Sequence, residues 1–466
     1  MKIEQLYTGC LAQGAYYIES DGEVAIIDPI RETQQYIDKA KAENATIKYV
    51  FETHFHADFV SGHVDLAKKS GAKIIFGPNA KTDYEAHISK DNEVFKLGNI
   101  TIKVLHTPGH TLESSTYLLI DEKGKDNAIF TGDTLFLGDV GRPDLAIKSD
   151  LTKNDLAGML YDSLRKKIMP LADDIIVYPA HGAGSSCGKN MSKETVGILG
   201  EQKKTNYALR ANMTKEEFIA EVLDGILPPP QYFAKNALLN KTGYQNFDMV
   251  LESGNNALQP DVFETLAHQK EALILDVRNQ SDYIQGHISN SIFIGLNGSF
   301  APWVGALIPD LSQPILLVVP EGKSEEAITR LSRVGYDNTL GYLEGGIDAW
   351  INSDRTIETL TSISANTFAK ELNKNSVNVL DVRKDGEYRI QHVENATFFP
   401  LNDIHNGNMN TLDANKTYHI YCAGGYRSVI TASILKAKGY KNLVDVAGGF
   451  EAISKTGIAT KAIKLA

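Results

Sequence analysis

The sequence has few of the features that mark secreted or membrane proteins. It has only three cysteines, Cys10, Cys187 and Cys422, and they lie too far apart along the chain to suggest a disulfide framework. No apolar run is long enough to cross a bilayer, and the first twenty residues lack the apolar segment of a signal peptide. We therefore expect a cytoplasmic protein with no membrane partner.

The chain also has fewer basic residues than acidic ones. The chain has 47 lysines and arginines against 58 aspartates and glutamates, which gives a formal net charge of -11. Nucleic acid or an anionic membrane surface would require a basic face, so we expect neither as a partner. With 466 residues the chain is long enough for about three domains, each with its own core.

Potential metal ligands are present in series, and each follows a predicted strand. The apolar run 47–51 leads into Thr53-His54-Phe55-His56-Ala57-Asp58, which places two imidazoles and a carboxylate on one loop. Three later strand-like runs lead into loops that carry His110, Asp133 and His181. Neutral imidazoles and carboxylates are ligands that first-row divalent metals take. The sequence therefore predicts a metal site at one rim of a packed pair of sheets.

This spacing resembles the metal motif of the metallo-β-lactamase superfamily, whose members carry His-x-His-x-Asp-His. In this chain Phe59 stands in place of the last histidine. The resemblance implies an α/β multidomain protein that begins with the αββα metallo-β-lactamase fold. Resemblance to the binuclear members, such as glyoxalase II, implies two metals. The first would be bound by His54, His56 and His110, the second by Asp58 and His181, and Asp133 would bridge them. Because Phe59 removes a ligand from the second site, we expect one metal.

Further motifs narrow the resemblance. Thr131-Gly132-Asp133 continues through Gly141-Arg142-Pro143-Asp144-Leu145, and Tyr178-Pro179-Ala180-His181-Gly182 follows. These motifs resemble the persulfide dioxygenase branch, which implies one Fe(II) per chain on His54, His110 and Asp133, with zinc as the alternative. A facial triad of two histidines and one carboxylate leaves positions open for O₂ and a substrate sulfur. His56, Asp58 and His181 would then orient the ligands and hold water, or bind metal themselves.

Three residues of the same loops are candidate substrate-binding residues: Arg142, Tyr178 and Cys187. Arg142 would anchor an anionic substrate or the carboxylate network, and a structural ion pair with Asp144 is the alternative. Cys187 lies in a glycine-rich loop shortly after His181. Its thiol would relay sulfur or lie near the substrate path, and a small buried apolar side chain is the alternative.

The C-terminal part of the chain contains a duplication. Leu275-Asp276-Val277-Arg278 recurs as Leu380-Asp381-Val382-Arg383, and each copy closes on a double glycine. Strands that alternate with helices predict a parallel α/β sheet in each copy. Several motifs recur in the same order, and both copies resemble rhodanese (sulfurtransferase) domains.

Only the second copy has a nucleophile. Cys422 opens a glycine-rich loop before a predicted helix, where backbone N–H groups and the helix N-terminus favour a thiolate that carries a persulfide. An inert buried cysteine is the alternative. Arg427 is the second predicted catalytic residue, and the predicted persulfide cradle consists of Ala423, Gly424, Gly425, Tyr426 and Ser428. Counting back from the Gly-Tyr pair after each helix aligns Cys422 with Val318, so the first copy is predicted to be an inactive scaffold or interface.

The predicted domains are a metallo-β-lactamase-like persulfide dioxygenase domain (1–242), an inactive rhodanese-like domain (257–356) and an active rhodanese domain (360–466). Within the first domain, helices are predicted over 193–211 and 215–224. A polar linker over 241–256 is predicted to follow. The order of the domains resembles bacterial persulfide dioxygenase-sulfurtransferase fusions.

This resemblance implies that the persulfide of a low-molecular-weight thiol, such as glutathione or coenzyme A, is oxidised by O₂ to sulfite. Cys422 would join a sulfane sulfur to sulfite and give thiosulfate, or supply persulfide in the reverse sense. Such an activity would detoxify sulfide. The alternatives are a zinc-dependent thioester hydrolase with an accessory sulfurtransferase domain, and a sulfur-sensing scaffold. The sequence leaves the oligomeric state open, and a homo-oligomer is one of the alternatives.

Overall fold

The structure is a computed structural model that describes residues 1–146, 151–374, 377–405 and 408–463. The last three residues of the predicted third domain therefore lie outside the described residues. The chain divides into two compact units, Met1–Phe247 with Ser332–Gly335 and Asp248–Leu331 with Tyr336–Ala466. Among the described helices, none combines the length and the apolar character that crossing a bilayer requires.

The first unit is built on two six-stranded sheets. The strands of the first sheet are β1 (Lys2–Thr8), β2 (Gln13–Ser20), β3 (Glu23–Ile27), β4 (Thr46–Glu52), β5 (Lys73–Phe76) and β6 (His87–Ile88). Those of the second are β7 (Val94–Leu97), β8 (Ile100–His106), β9 (Ser115–Ile120), β10 (Asp126–Gly132), β11 (Ile176–Pro179) and β12 (Gly197–Ile198). Both sheets are mixed, and neighbouring strands follow one another in chain order.

Helices cover the outer faces of both sheets. The helices of this unit are α1 (Gln34–Ala42), α2 (His63–Ser70), α3 (Lys153–Ser163), α4 (Leu199–Thr205), α5 (Lys215–Leu223) and α6 (Phe233–Thr242). α1 and α2 pack on the first sheet, and α3 and α5 pack on the second. A π-helical turn, Leu164–Ile168, extends α3. The predicted αββα fold is thereby confirmed.

The alternation of side chains along each strand explains why both faces of these sheets are apolar. Leu119 and Phe130 point into the space between the two sheets, where they join the central core. Their neighbours Leu118 and Ile129 point the opposite way and pack under the helices of the second sheet. Because successive strand residues face opposite sides, a sheet covered on both faces needs apolar residues in succession.

The predicted helix over 193–211 is wrong in extent. Residues 197–198 form β12, which pairs with β11 at the sheet edge, and only Leu199–Thr205 is α-helical. Asn206 ends that helix because its side chain caps the N–H of Ala208 and donates to the carbonyls of Phe136 and Asp139. Half of the predicted linker over 241–256 forms a helix, α7 (Phe247–Gly254).

The second unit contains both copies of the duplication. The first copy has β13 (Ala257–Leu258), α8 (Pro260–Gln269), β14 (Leu273–Asp276), α9 (Gln280–Gln285), β15 (Ile292–Phe293), α10 (Phe300–Leu307), β16 (Ile315–Val318), α11 (Ser324–Ser332), β17 (Thr339–Leu343) and α12 (Gly346–Asn352). The second has β18 (Thr361–Ser364), α13 (Ala365–Lys374), β19 (Asn378–Asp381), α14 (Asp385–Ile390), β20 (His392–Val393), β21 (Thr397–Phe398), β22 (Tyr418–Tyr421), α15 (Tyr426–Ala437), β23 (Leu443–Ala447), α16 (Gly449–Ile453) and β24 (Thr460–Lys461).

The two copies have the same parallel five-stranded sheet. Its strand order is β13-β17-β16-β14-β15 in the first copy and β18-β23-β22-β19-β21 in the second. The repeated Asp-Val-Arg motif has the same structure in both, because Arg278 pairs with Asp276 as Arg383 pairs with Asp381. The predicted parallel sheets are therefore confirmed in both copies.

The strand register corrects the alignment of the loops that follow β16 and β22. Asp276 lies opposite Val318 in the first copy, and Asp381 lies opposite Tyr421 in the second. Cys422 therefore corresponds to Val319 and not to Val318. The segment between the strand and the Gly-Tyr pair is one residue longer in the second copy. An alignment counted back from the Gly-Tyr pair is therefore shifted by one residue at the strand end.

Candidate functional site

Four strand ends in the first unit deliver metal-ligating side chains to one buried group. His54 follows β4, His110 follows β8, Asp133 follows β10 and His181 follows β11. One ligand atom each from His54, His110 and Asp133 lies within 4.8 Å of the others. The Nε2 atoms of His110 and His54 lie 3.3 Å and 3.9 Å from Asp133 Oδ2. The structure thus brings together the three residues predicted as the facial triad.

Hydrogen bonds from the Nδ1 atoms orient the imidazoles of His110 and His181. His110 Nδ1 lies 2.8 Å from the carbonyl oxygen of Arg142, and His181 Nδ1 lies 3.2 Å from that of Ala12. A carbonyl oxygen only accepts, so each Nδ1 carries the proton and donates. The lone pair of each Nε2 is therefore free to face Asp133, as metal ligation requires.

His54 is oriented by a relay through its neighbour. Its Nδ1 lies 3.0 Å from Thr53 Oγ1, and that hydroxyl donates to Asp28 Oδ2 at 2.8 Å. Because the hydroxyl proton is already given to Asp28, Thr53 Oγ1 accepts from His54 Nδ1. Burial and the neighbouring histidines hold the pKa of His54 well below its ordinary value, which keeps the imidazole neutral.

The donor set fits a divalent metal. Among the described residues, neither carboxylate oxygen of Asp133 has a hydrogen-bond partner, and nor does His181 Nε2, although all three atoms are buried. Buried polar atoms without partners are costly, and a metal would supply the missing interaction. Two neutral imidazoles and one carboxylate are a set that binds iron or zinc.

His56 is turned towards buried carboxylates. Its Nε2 lies 3.2 Å from Asp28 Oδ1 and 3.9 Å from Glu52 Oε2. Burial would lower the pKa of His56, but the charges of Asp28, Glu52 and Asp58 and its contact with Asp28 raise it to about 9. A ligand atom of His56 also lies within 4.8 Å of those of Asp58 and His181. Asp28 therefore contacts both His56 and the Thr53 relay to His54.

The thiol of Cys187 lies close to Asp133 and His181. Its Sγ lies within 4.8 Å of ligand atoms of Asp133 and His181. Burial, together with the charges of Asp58 and Asp133, raises the pKa of the Cys187 thiol well above its ordinary value. Phe59 is fully buried, with its ring centroid 4.4 Å from that of His56. Cys187 thus lies beside two of the residues, Asp133 and His181, that a second metal would use.

Arg142 holds loops together in this structure. Its guanidinium makes two hydrogen bonds to Asp144 and donates to the carbonyls of Leu227 and Ser186. Its own carbonyl orients His110. Gly141 before it tolerates no side chain, because an added Cβ would lie 2.0 Å from the carbonyl oxygen of Asp133. The ion pair with Asp144 is therefore present, and substrate anchoring by Arg142 stays a prediction.

Tyr178 lies apart from these contacts. Its ring stacks on Phe130 at 5.1 Å and meets Tyr16 edge to face at 5.2 Å, within the core between the sheets. These contacts account for an aromatic residue at this strand position. A substrate-binding role for Tyr178 also stays a prediction.

Asn240 is a residue of this site that the sequence reasoning missed. It lies on α6 and is fully buried, and its amide donates to the carbonyls of His56 and Phe59 while accepting from the N–H of Ser61. It therefore fixes the backbone of the loop over residues 53–61, which carries His54 and is called the metal loop below. No local pattern indicates this role, because the partners lie about 180 residues earlier in the chain.

The second candidate site surrounds Cys422. The N–H of Gly425 donates to its Sγ at 3.1 Å, and Ser428 Oγ lies 3.8 Å from the sulfur and donates to Asp445. Arg427 is held by two hydrogen bonds of 2.7 Å to Glu387. Of the predicted cradle, Gly425 and Ser428 contact the sulfur.

The remaining cradle residues face other partners. The carbonyl of Ala423 accepts from the N–H of Glu451 at 3.0 Å, which fixes the loop to α16. Tyr426 turns its hydroxyl to the carbonyl of Gly295 at 2.7 Å. An added Cβ on Gly424 would meet no other atom within 4 Å, so this part of the loop is open.

Comparison with known proteins identifies the domains. The family model of the metallo-β-lactamase superfamily matches residues 8–181, and that of the rhodanese-like domain matches residues 259–353 and 364–456. The crystal structure of a metallo-β-lactamase from Staphylococcus aureus subsp. aureus COL is 32% identical, with a TM-score of 0.64, and the match covers 74% of this chain and 98% of that one. The chain belongs to the metallo-β-lactamase superfamily. Two rhodanese-like domains follow its metallo-β-lactamase domain.

Curated relatives of the metallo-β-lactamase domain fall into two functional classes. The hydroxyacylglutathione hydrolase GloC of Haemophilus influenzae is 27% identical over 41% of this chain and 94% of its own length. The mitochondrial persulfide dioxygenase ETHE1 of Bos taurus is 29% identical over 45% of this chain and 74% of its own length. Because the two identities are similar, the chemistry of the site has to separate a hydrolase from a dioxygenase.

Proposed function

We propose that the protein is a non-haem Fe(II) persulfide dioxygenase coupled to a sulfurtransferase, and that it detoxifies sulfide. The observation that carries this proposal is the buried group of His54, His110 and Asp133. Their Nε2 atoms converge on the unpaired Asp133 carboxylate, while Phe59 replaces a ligand of the binuclear motif. Similarity to the persulfide dioxygenase of Bos taurus supports it.

In this proposal His54, His110 and Asp133 would hold one iron, and its chemistry would be the activation of O₂ towards the terminal sulfur of a thiol persulfide. That sulfur loses electrons to O₂ and becomes sulfite, water supplies the third oxygen, and the thiol and two protons are released. Asp28 keeps His54 and His56 in place throughout, and Arg142 holds His110 through its carbonyl. Buried Phe59 keeps water from its side of the site.

The proposed transfer step uses Cys422 as the nucleophile. Its sulfur attacks the outer sulfur of a persulfide, the donor S–S bond breaks, and the donor thiolate leaves. Sulfite then takes the sulfane sulfur from Cys422, which returns to the thiolate and gives thiosulfate. The N–H of Gly425 stabilises negative charge on the sulfur at both stages. The first copy has Val319 and Pro320 where the second has Cys422 and Ala423, so we propose that it is inactive.

Oxygen uptake tests the dioxygenase. Iron-loaded protein should consume O₂ with glutathione persulfide or coenzyme A persulfide, and the absence of uptake with either would refute the proposal. His110→Ala should abolish uptake. Cys422→Ser is the matched variant, because it should leave uptake intact and change the product from thiosulfate to sulfite.

One observation favours the second candidate, a zinc-dependent thioester hydrolase. Cys187 lies beside Asp133 and His181, so it could replace the ligand that Phe59 removes from a second metal. Metal analysis after anaerobic purification separates the two functions, since one iron per chain favours oxygenation and two zinc ions favour hydrolysis. In the second case, Cys187→Ala should reduce the zinc content to one ion per chain. The cytoplasmic location stays a prediction from the sequence, which leaves the thiol carrier and the oligomeric state open.

A further inference from the structure

The first rhodanese-like copy contacts the active-site loop of the second copy through Tyr426. This residue is the first of α15, directly after the loop that begins at Cys422. Its hydroxyl donates to the carbonyl of Gly295 at 2.7 Å, and its ring meets that of Phe293 at 5.8 Å. Gly298 leaves room for the ring, because an added Cβ would lie 2.3 Å from Tyr426 Cζ.

Further contacts fix the same helix. The backbone N–H of Phe293 donates to Ser433 Oγ at 3.0 Å. Lys436 pairs with Glu358, which directly follows the first copy and forms a β-bridge with its His287. Ser433 and Lys436 lie two and three turns along α15 from Tyr426. The helix that follows the Cys422 loop is therefore held against the first copy along most of its length.

An amide of the first copy lies beside the cradle itself. Gln280 is the first residue of α9, and its side chain is half-buried. A Cβ added to Gly425 would lie 3.7 Å from Gln280 Nε2, and Gly425 is the residue whose N–H donates to Cys422 Sγ. Within the described residues, the Gln280 amide makes no hydrogen bond. A free donor thus lies beside the residue whose N–H holds the sulfur.

We propose that the first copy, which lacks its own cysteine, completes the active site of the second. In this inference Gln280 Nε2 donates a hydrogen bond to an oxygen of the sulfur oxyanion that reacts at Cys422, which is sulfite or thiosulfate. The segment Gly295–Gly298 positions the loop through Tyr426. The inference rests on the proposed sulfurtransferase activity and adds a substrate contact to it.

The chemistry favours a neutral amide at this position. Sulfite carries its charge on three oxygens that accept hydrogen bonds, and a glutamine amide donates two. Arg427 is occupied by Glu387, so its charge is already paired. When sulfite attacks the outer sulfur of the Cys422 persulfide, the S–S bond breaks and its electron pair returns to Cys422. The oxyanion must be held only while this exchange takes place.

Loading of Cys422 by thiosulfate tests the contact directly. The full-length protein is mixed with thiosulfate, and the mass of the protein reports the added sulfur with time. Gln280→Ala should raise the thiosulfate concentration for half-maximal loading rate about tenfold, the loss expected for one hydrogen bond to a charged group. Gln280→Glu should raise it further, because its carboxylate repels the anion. Gln285→Ala is the matched control, since this glutamine lies exposed at the other end of the same helix.

The positioning role of Tyr426 has its own readout. Gly298→Ala should displace the ring and lower the maximal loading rate, while Tyr426→Phe should have a smaller effect because only the hydroxyl is lost. Circular dichroism checks that each variant is folded. If Gln280→Ala and Gln280→Glu both load like the Gln285→Ala control, the substrate contact is refuted and the sulfurtransferase stands. If the unaltered protein takes no sulfur from thiosulfate or from glutathione persulfide, both proposals fail.

Discussion

Replacing Asn240 by alanine should strongly destabilise the metallo-β-lactamase domain. The side chain holds three backbone groups of the metal loop, the carbonyls of His56 and Phe59 and the N–H of Ser61. All of these bonds are buried, with donor-acceptor distances of 2.7–2.9 Å. Alanine leaves every one of these groups without its partner.

The magnitude follows from the number of orphaned groups. Each buried donor or acceptor left unsatisfied costs about 1–3 kcal/mol. Three groups would thus cost about 3 kcal/mol or more even if each falls at the lower end. This loss is a large share of the roughly 5–15 kcal/mol that stabilises a typical protein. The loop that carries His54 should also lose its fixed geometry, so metal content should fall.

Asn236 is a matched control one turn earlier on the same helix. It is as fully buried as Asn240, but within the described residues its side-chain amide has no hydrogen-bond partner. Asn236→Ala removes two unsatisfied polar atoms and leaves a small cavity, so the two effects nearly cancel. We expect a change of about 1 kcal/mol or less for this variant.

Urea unfolding can assign the loss to the correct unit. Both tryptophans, Trp303 and Trp350, belong to the second unit, so their fluorescence reports the rhodanese-like domains. Circular dichroism reports the whole chain. Asn240→Ala should shift an unfolding transition seen by circular dichroism to lower urea and reduce metal content, with little change in fluorescence. If Asn240→Ala is no more destabilising than Asn236→Ala, the reasoning about the loop is wrong.

Three further outcomes are expected. Asp133→Ala should lower the metal content measured by elemental analysis while Cys422 still loads with sulfur. Removing the metal with a chelator should lower the melting temperature by circular dichroism, because the buried carboxylate of Asp133 loses its partner. Burial lowers the pKa of His287 from 6.5 to about 4, so only the unfolded chain gains this proton between those values. The stability of the second unit should therefore fall as pH falls through this window, and less so in His287→Gln, as followed by tryptophan fluorescence.

The sequence was sufficient to bring the candidate metal ligands together, because their placement depends on local order. Each ligand follows an apolar strand by a few residues, and strands that run in the same direction end at the same rim. His54 and Asp133 could therefore be assigned to one site from their positions after β4 and β10. The duplication was equally accessible, because the Asp-Val-Arg motif repeats with its ion pair intact.

Features that depend on distant packing could not be predicted in this way. The contacts of Asn240 join α6 to a loop far away in sequence, and β12 forms only because an open sheet edge is available beside β11. The alignment of Cys422 with Val319 required the hydrogen-bond register of the strands. Counting residues back from the end of the helix could not show where, between the strand and the helix end, the second copy has its extra residue.

The number of metals shows most clearly how position in the sequence differs from position in space. By the motif, Phe59 removes a ligand and leaves the second site incomplete, whereas in the folded chain Cys187 lies next to Asp133 and His181. The two sites are nevertheless unequal. The triad presents the neutral imidazole of His54 and the unpaired carboxylate oxygens of Asp133. In contrast, burial and two nearby carboxylates raise the pKa of the Cys187 thiol, so a second cation would have to displace its proton. A single metal on the triad therefore requires less change in the protein, and this asymmetry, more than the missing histidine, is the physical reason to favour one metal.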